Sequence, residues 1–252
     1  MENIEAQVVK SLDGEDIELY DFIPYLLQDL WEIGASPEVI IDMVKRHIGK
    51  SDISVLDLGC GKGAVSVKLA KAVGCKVKGI DALKDFIEYA EDKAREYGVS
   101  NICKFVVGDI RECYEEDYDL IIFAACGDIF GDLDATVVKL KAMVKNGGYI
   151  IIDDAFCEAD KQVDGYITHE EVINAFKKNK LELIEESIIG NEALKVINDA
   201  NNRSIALRAT ELKIKHPEKS WLFDNYIWKQ LEECKVLETQ VKCATWLLKK
   251  VE

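Results

Sequence analysis

Apolar positions along the chain change rhythm once near residue 50. Before it, Leu19, Phe22, Ile23, Leu26, Leu27 and Leu30 recur at helical spacing and predict one helix. Ser36 then offers an N-cap ahead of Pro37, whose missing N–H costs nothing in a first helical turn, and predicts a second helix through Ile48. Beyond residue 50, short apolar runs alternate with amphipathic stretches: Ile53 to Leu58, Val77 to Ile80, Cys103 to Val107, Leu120 to Ala124 and Tyr149 to Ile152 read as strands buried on both faces. A helix opened by Thr168, with Glu171 three residues on in a capping-box pattern, leads to a strand over Leu181 to Ile189. Residues 191–234 read as two long amphipathic helices parted near His216-Pro217, and Val236 to Leu248 reads as the last strand.

Strands apolar on both sides that alternate with helices imply a doubly wound α/β fold, a mostly parallel sheet covered by helices on each face. The expected organisation is an N-terminal helical cap, residues 1–50, and an α/β domain, residues 51–252, carrying a helical insertion at 191–234. That insertion is longer than a strand connection requires and should form a subdomain over the sheet.

Composition narrows the function classes. The chain has 252 residues, 48% of them hydrophobic, with 47 acidic against 32 basic side chains and a formal charge of −15. Such a balance repels a phosphate backbone, and the lysines are dispersed among acids, so neither nucleic acid nor a membrane surface is an expected partner. The start, MENIEAQVVKSLDGEDIELY, lacks the basic and apolar stretches of a secretory signal, and a cytoplasmic location is expected. Eight cysteines contain no close C-x-x-C pair, so they are read as small buried hydrophobes and no metal site is expected.

The segment with most chemical content is Val55-Leu56-Asp57-Leu58-Gly59-Cys60-Gly61-Lys62-Gly63-Ala64, a strand running into a glycine turn and a helix. Glycines at 59, 61 and 63 allow positive φ and close approach of a ligand to the backbone. The same residues satisfy the dinucleotide pattern G-x-G-x-x-[GA], so the loop alone leaves a nicotinamide dinucleotide and S-adenosylmethionine both open. Asp57 argues for the second, since it adds negative charge where a diphosphate would sit, whereas S-adenosylmethionine carries an ammonium and a sulfonium. Asp81, about 20 residues beyond the glycines, suits a pair of ribose hydroxyls, and Asp109 with Ile110 can meet an adenine amino group and ring face.

Together Val55 to Ser66, Gly79-Ile80-Asp81, Val107-Gly108-Asp109-Ile110, Tyr118 to Ala124 and Val144 to Asp153 resemble the ordered motifs of class I S-adenosylmethionine-dependent methyltransferases, over roughly residues 50–155. The resemblance implies a seven-stranded sheet with an antiparallel last strand and S-adenosylmethionine as cofactor. It implies that Asp57, Gly59, Cys60, Gly61 and Gly63 form the cofactor loop, Asp81 and Ala82 meet the ribose, Asp109 and Ile110 the adenine, and Phe123-Ala124 the methionine amine through backbone carbonyls.

Because a sulfonium is already activated, positioning and exclusion of water can supply most of the catalysis, and a base is optional. Asp128, Asp154 and His169 are the candidate catalytic residues. Where exocyclic-amine methyltransferases carry an N-P-P-Y segment, this chain reads Phe123-Ala124-Ala125-Cys126-Gly127-Asp128, and Ala124 replaces the aspartate of metal-dependent catechol-type enzymes. Cys60, Cys126 and Cys157 raise a thiol-relayed chemistry as a minor alternative. Tyr20 and Tyr25 are candidates to close over the cofactor. The expected function is methyl transfer to a small molecule enclosed by the N-terminal helices and the insertion. Alternatives are a protein or RNA methyltransferase, a nicotinamide-dependent oxidoreductase, and a non-catalytic adenosyl-ligand-binding module.

Overall fold

The computed structural model describes residues 3–251. Its centre is a seven-stranded sheet in the order β3-β2-β1-β4-β5-β7-β6. The strands are β1 (Ser54–Leu58), β2 (Lys76–Asp81), β3 (Cys103–Val107), β4 (Tyr118–Ala124), β5 (Val144–Cys157), β6 (Leu181–Ile188) and β7 (Val241–Lys250). β1 to β5 pair in parallel, and β7 runs antiparallel between β5 and β6. The chain winds outward from β1 to β3 and then returns to place β4 on the other flank of β1. The carboxyl ends of β1 and β4 therefore form a topological switch point, the place where open α/β sheets bind ligands.

Helices α1 (Ile4–Ser11), α2 (Ile23–Leu26) and α3 (Pro37–His47) precede the sheet. Within it lie α4 (Ala64–Val73), α5 (Lys84–Glu96), α6 (Leu133–Met143) and α7 (His169–Lys178), and α8 (Asn191–Lys215) and α9 (Ser220–Thr239) fill the insertion. Strand periodicity sorts the side chains by face. Val55, Val77, Leu120, Ile122 and Ile151 pack with α3, α4 and α5, whereas Leu56, Leu58, Ile121, Phe123 and Ile152 pack with α6 and α7. Each fully buried Leu, Ile or Val of these layers contributes roughly 1.5–3 kcal/mol.

A third core lies outside the sheet layers. Val8, Leu19, Ile23, Leu26 and Leu30 from the amino terminus pack with Ile205, Ala209 and Leu212 of α8 and with Leu222, Phe223 and Tyr226 of α9. Leu83 and Phe86, after β2, join it to the sheet edge. The insertion and the amino terminus are thus one packed unit.

Three expectations change. The apolar series Leu19 to Leu30 is not one helix but a 3-10 turn over Ile17–Phe22 followed by the single turn of α2. Pro24 is the reason, since it has no N–H for the preceding turn and stands in the first turn of α2. The last strand begins at Val241 rather than Val236, because α9 continues to Thr239 and a short apolar run does not by itself distinguish helix from strand. β5 is longer than the expected Tyr149 to Ile152, beginning at Val144 and extending to Cys157. The capping box of α7 forms as predicted: Thr168 Oγ1 accepts from the Glu171 amide, and the Glu171 carboxylate accepts from that of Thr168.

Candidate active site

β1 delivers Asp57 toward the α4 face, because it alternates with Leu56 and Leu58, which face α6. There its buried carboxylate accepts from Ser66 Oγ of α4 at 2.5 Å. Burial pushes the Asp57 pKa up to about 7, with the nearby charge of Asp81 adding to the rise and the Ser66 bond opposing it. Burial therefore favours the protonated carboxyl well above the usual carboxylate range. This corrects the electrostatic case against a diphosphate, since a group this buried does not carry a full charge without a cation to keep it ionised.

The turn after β1 is set by β2. Gly59 and Cys60 both donate backbone N–H groups to the Ile80 carbonyl, at 2.8 and 3.0 Å. Gly59 has φ +67°, and a Cβ there would stand 2.4 Å from Cys126 Sγ. Gly61 has φ +52°, and a Cβ there would meet nothing within 4 Å, so its open side faces empty space. Its N–H donates to Asp81 Oδ2 at 2.9 Å, while the Leu83 N–H donates to Asp81 Oδ1 at 2.9 Å. Each Asp81 oxygen thus keeps acceptor capacity after orienting the loop, which is what two ribose hydroxyls require. Burial raises the Asp81 pKa, and the backbone donors oppose that rise.

These residues line a cavity enclosing about 1000 Å³ of space, part of it open to solvent. Asp57, Gly59, Cys60, Gly61, Asp81, Ala82, Asp109, Ile110 and Ala124 all border it. Gly63 does not, since it packs against Ala90 and Phe105 under the loop. Phe123 also stays outside, with its ring stacked on Phe130 in the opposite sheet layer. Asp109 borders the cavity already engaged, because its carboxylate accepts from the Arg111 guanidinium at 2.7–3.0 Å and from the Arg111 amide at 2.9 Å. That guanidinium lowers the Asp109 pKa. At the end of β4, Ala125 takes φ +53°, an uncommon conformation for a residue with a Cβ and one that tends to occur at functional sites.

None of the three catalytic candidates borders the cavity. Asp128 is exposed and paired with Lys10 at 3.2 Å. Asp154 accepts from its neighbouring Ala155 amide, and His169 Nε2 lies 2.6 Å from Glu186 while its ring packs on Phe156. Tyr20 and Tyr25 are also outside, the second donating to Glu211 of α8 at 2.6 Å. Cys60 and Cys126 do come together at the cavity wall, but burial raises both thiol pKa values, and Cys157 is remote, bonded to the Tyr166 carbonyl. Protonated thiols of this kind are poor nucleophiles, which removes the thiol-relay alternative.

Two wall elements escape the sequence reading. α1 contributes Ile4, Gln7, Val8, Ser11 and Leu12, all on one helical face. Its i, i+4, i+8 apolar series is visible in the sequence, but an eight-residue helix is too short a window to stand out. Lys62, within the glycine loop, is buried, and its ammonium donates to the Leu27 and Leu30 carbonyls at 2.5 and 2.8 Å. Burial lowers its pKa to about 8. No residue of the insertion borders the cavity, so the expectation that residues 191–234 enclose the acceptor is corrected: they brace the amino-terminal segment that does.

Known proteins match this arrangement. Residues 49–202 match a family model described as a methyltransferase domain. A malonyl-[acyl-carrier protein] O-methyltransferase of Priestia megaterium is 32% identical over 114 residues, which are 44% of this chain and 40% of that protein. The chain therefore spans about two fifths of the length of that relative. Among solved structures, an S-adenosylmethionine-dependent methyltransferase from Geobacter sulfurreducens in complex with S-adenosyl-L-homocysteine superposes with a TM-score of 0.76 at 16% identity, covering 90% of this chain and 97% of that one. The [4+2]-cyclase SpnF superposes with a TM-score of 0.69 at 14% identity, covering 91% and 94%. Both show the shared fold, and the family match, covering more than half of the chain and including the glycine loop and the switch point, establishes that this protein belongs to the methyltransferase-domain family.

Proposed function

We propose that the protein transfers a methyl group from S-adenosylmethionine to a small-molecule acceptor bound beneath α1. The observation that carries this reading is the joint placement of Gly61, open toward the cavity, and Asp81, with acceptor capacity left on both oxygens, at the switch point of the sheet. The residues fit the cofactor: Asp81 and Ala82 for the ribose, Ile110 with the Asp109–Arg111 pair for the adenine end, and Asp57 with the β4 end at Ala124 for the methionine end. When bound, S-adenosylmethionine would supply an activated methyl group and leave as S-adenosylhomocysteine, the proton displaced from an acceptor hydroxyl or amine passing to solvent. The chain's own part is to orient the two molecules and keep water away. The apolar face of α1 excludes solvent, and Lys62 locks the glycine loop to the segment that carries the cap. With Asp128, Asp154 and His169 all outside the cavity, positioning rather than general-base catalysis is the main device.

Calorimetry with S-adenosylhomocysteine and with NAD tests the reading: the first should bind and the second bind far more weakly, and the reverse order would favour an oxidoreductase. Asp81→Ala should weaken S-adenosylhomocysteine binding by roughly 1.5–3 kcal/mol, the range for losing charge-assisted hydrogen bonds, without unfolding the protein. One observation favours a second reading, a macromolecular acceptor: Val196, Trp221, Trp228 and Leu231 of the insertion are exposed. Labelled methyl groups appearing in protein or RNA rather than in small molecules would support it. A protein that binds cofactor but yields no methylated product in either pool would instead be a non-catalytic adenosyl-binding module.

A further inference from the structure

We propose that Gln7 reads the methyl acceptor, and that the acceptor is a neutral, largely apolar small molecule whose single hydrogen-bonding group meets the Gln7 amide; this rests on the methyl-transfer reading above. α1 crosses the carboxyl edge of the sheet from the end of β2 to the end of β4. At its start, Glu5 and Asp81 both act on the Tyr20 phenol, whose pKa burial raises and these charges raise further. At its end, Lys10 pairs with Asp128 just beyond β4. Gln7 lies between the two along α1 and borders the same cavity as the glycine loop.

Gln7 is only 7% exposed and borders the cavity, yet its side-chain amide has no hydrogen-bond partner among the described residues. Among the described residues no fully enclosed side-chain nitrogen or oxygen lacks a partner, so the amide must keep contact with open space, and the cavity is the space it borders. An amide with two donors and an acceptor in such a place is costly unless water or a ligand satisfies it. Helix formation does not call for it: residue 7 is mid-helix, and α1 is capped by Asn3.

Its surroundings define the chemistry. On the same helical face Ile4, Val8 and Leu12 are apolar, and Ile33 and Ile129 add apolar wall from other segments. The charged groups at the cavity are committed elsewhere: Lys62 to two carbonyls, Asp109 to Arg111, and Asp57 and Asp81, beyond their bonds to Ser66 and to two amides, to the cofactor in the reading above. Among the described residues that line the cavity no further charged side chain remains to neutralise an acceptor's charge, and a charged molecule entering this wall would lose hydration without recompense. A site that hydrogen-bonds one substrate group discriminates strongly against molecules lacking it, which assigns Gln7 the specificity role.

The test uses the full chain with S-adenosylmethionine labelled in the methyl group. A small-molecule extract of the source cells is separated by ion exchange into neutral, anionic and cationic pools before the reaction, so that esterification of an acid is not mistaken for a neutral acceptor. Label should enter the neutral pool. Gln7→Leu, and the near-isosteric Gln7→Met should Leu fail to fold, should lower kcat/KM for that transfer by on the order of tenfold or more while S-adenosylhomocysteine affinity stays unchanged. Label confined to a charged pool or to macromolecules overturns the proposal and leaves cofactor-dependent transfer standing. An unchanged rate in both variants removes Gln7 from recognition. Absence of S-adenosylhomocysteine binding, or of any labelled product, sinks the methyl-transfer reading and the proposal with it.

Discussion

Single residues at the site trade stability for binding, and Asp57 does so measurably. Its pKa is about 7 when folded, against 3.8 as the reference value, so between those values the native state holds a proton that the unfolded chain has lost. Stability from this group is therefore present below about pH 4 and is lost as pH rises through 7. Asp57→Asn, which keeps an acceptor for Ser66, should stabilise the ligand-free protein by roughly 1–3 kcal/mol at pH 8, with little effect at pH 4. Denaturant titrations at the two pH values measure it, and an equal effect at both would show that Asp57 is not held protonated. A bound ammonium should reverse the preference, releasing a proton near neutral pH, visible as a dependence of binding enthalpy on buffer ionisation. Lys62 acts the other way, as a structural cation. Lys62→Met removes both donors from the Leu27 and Leu30 carbonyls and should cost about 2–4 kcal/mol, with cofactor affinity falling as the loop loses its anchor. Thermal unfolding together with S-adenosylhomocysteine titration separates the two effects. The Asp57 position was legible from its spacing to the glycines, but its protonation was not, since that depends on how deeply α4 covers it.

Elements move together where they pack together, and here the amino-terminal segment is clasped by the insertion. Arg208 of α8 holds Asp29 at 2.6–2.9 Å, Gln230 of α9 donates to the Leu12 carbonyl at 3.2 Å, and Lys229 pairs with Glu15 at 2.5 Å. These contacts are partly exposed, so each contributes little alone, and the shared apolar core supplies most of the cohesion. Covering elements that admit and release ligand belong to the less stable parts of a fold. Amide exchange should therefore slow most in residues 4–12 and 59–63 when S-adenosylhomocysteine binds, with a weaker effect in residues 191–239, which brace the cap without touching the cavity. Equal protection in α1 and α8 would show the insertion closing on the ligand directly. The amphipathic faces of α8 and α9 were legible as faces needing a partner. Their partner was not, because nothing in a helical repeat says which distant surface will cover it.

Across the whole molecule the excess of negative charge acts at long range. A formal charge of −15 disfavours the compact state through self-repulsion, while the ion pairs that offset it are short contacts. Salt screens charges separated by more than a Debye length far better than those in contact, so raising ionic strength from about 0.01 to 0.15 M should raise Tm by roughly 2–4 °C, the shift expected for about 1 kcal/mol in a chain of this size. A fall in Tm, followed by differential scanning fluorimetry, would mean that the surface pairs dominate instead. The sequence by itself determined the alternation of strand and helix, the placing of the glycine loop and Asp81 at one sheet edge, and thereby the family, because strand burial and turn chemistry are local properties written in consecutive residues. Only the tertiary structure decided that α1 lines the cavity, that Lys62 turns its ammonium to the Leu27 and Leu30 carbonyls, and that Asp154 and His169 lie outside the cavity. Those outcomes depend on contacts between residues far apart in the chain, where packing of whole elements, rather than local preference, sets which way a side chain faces.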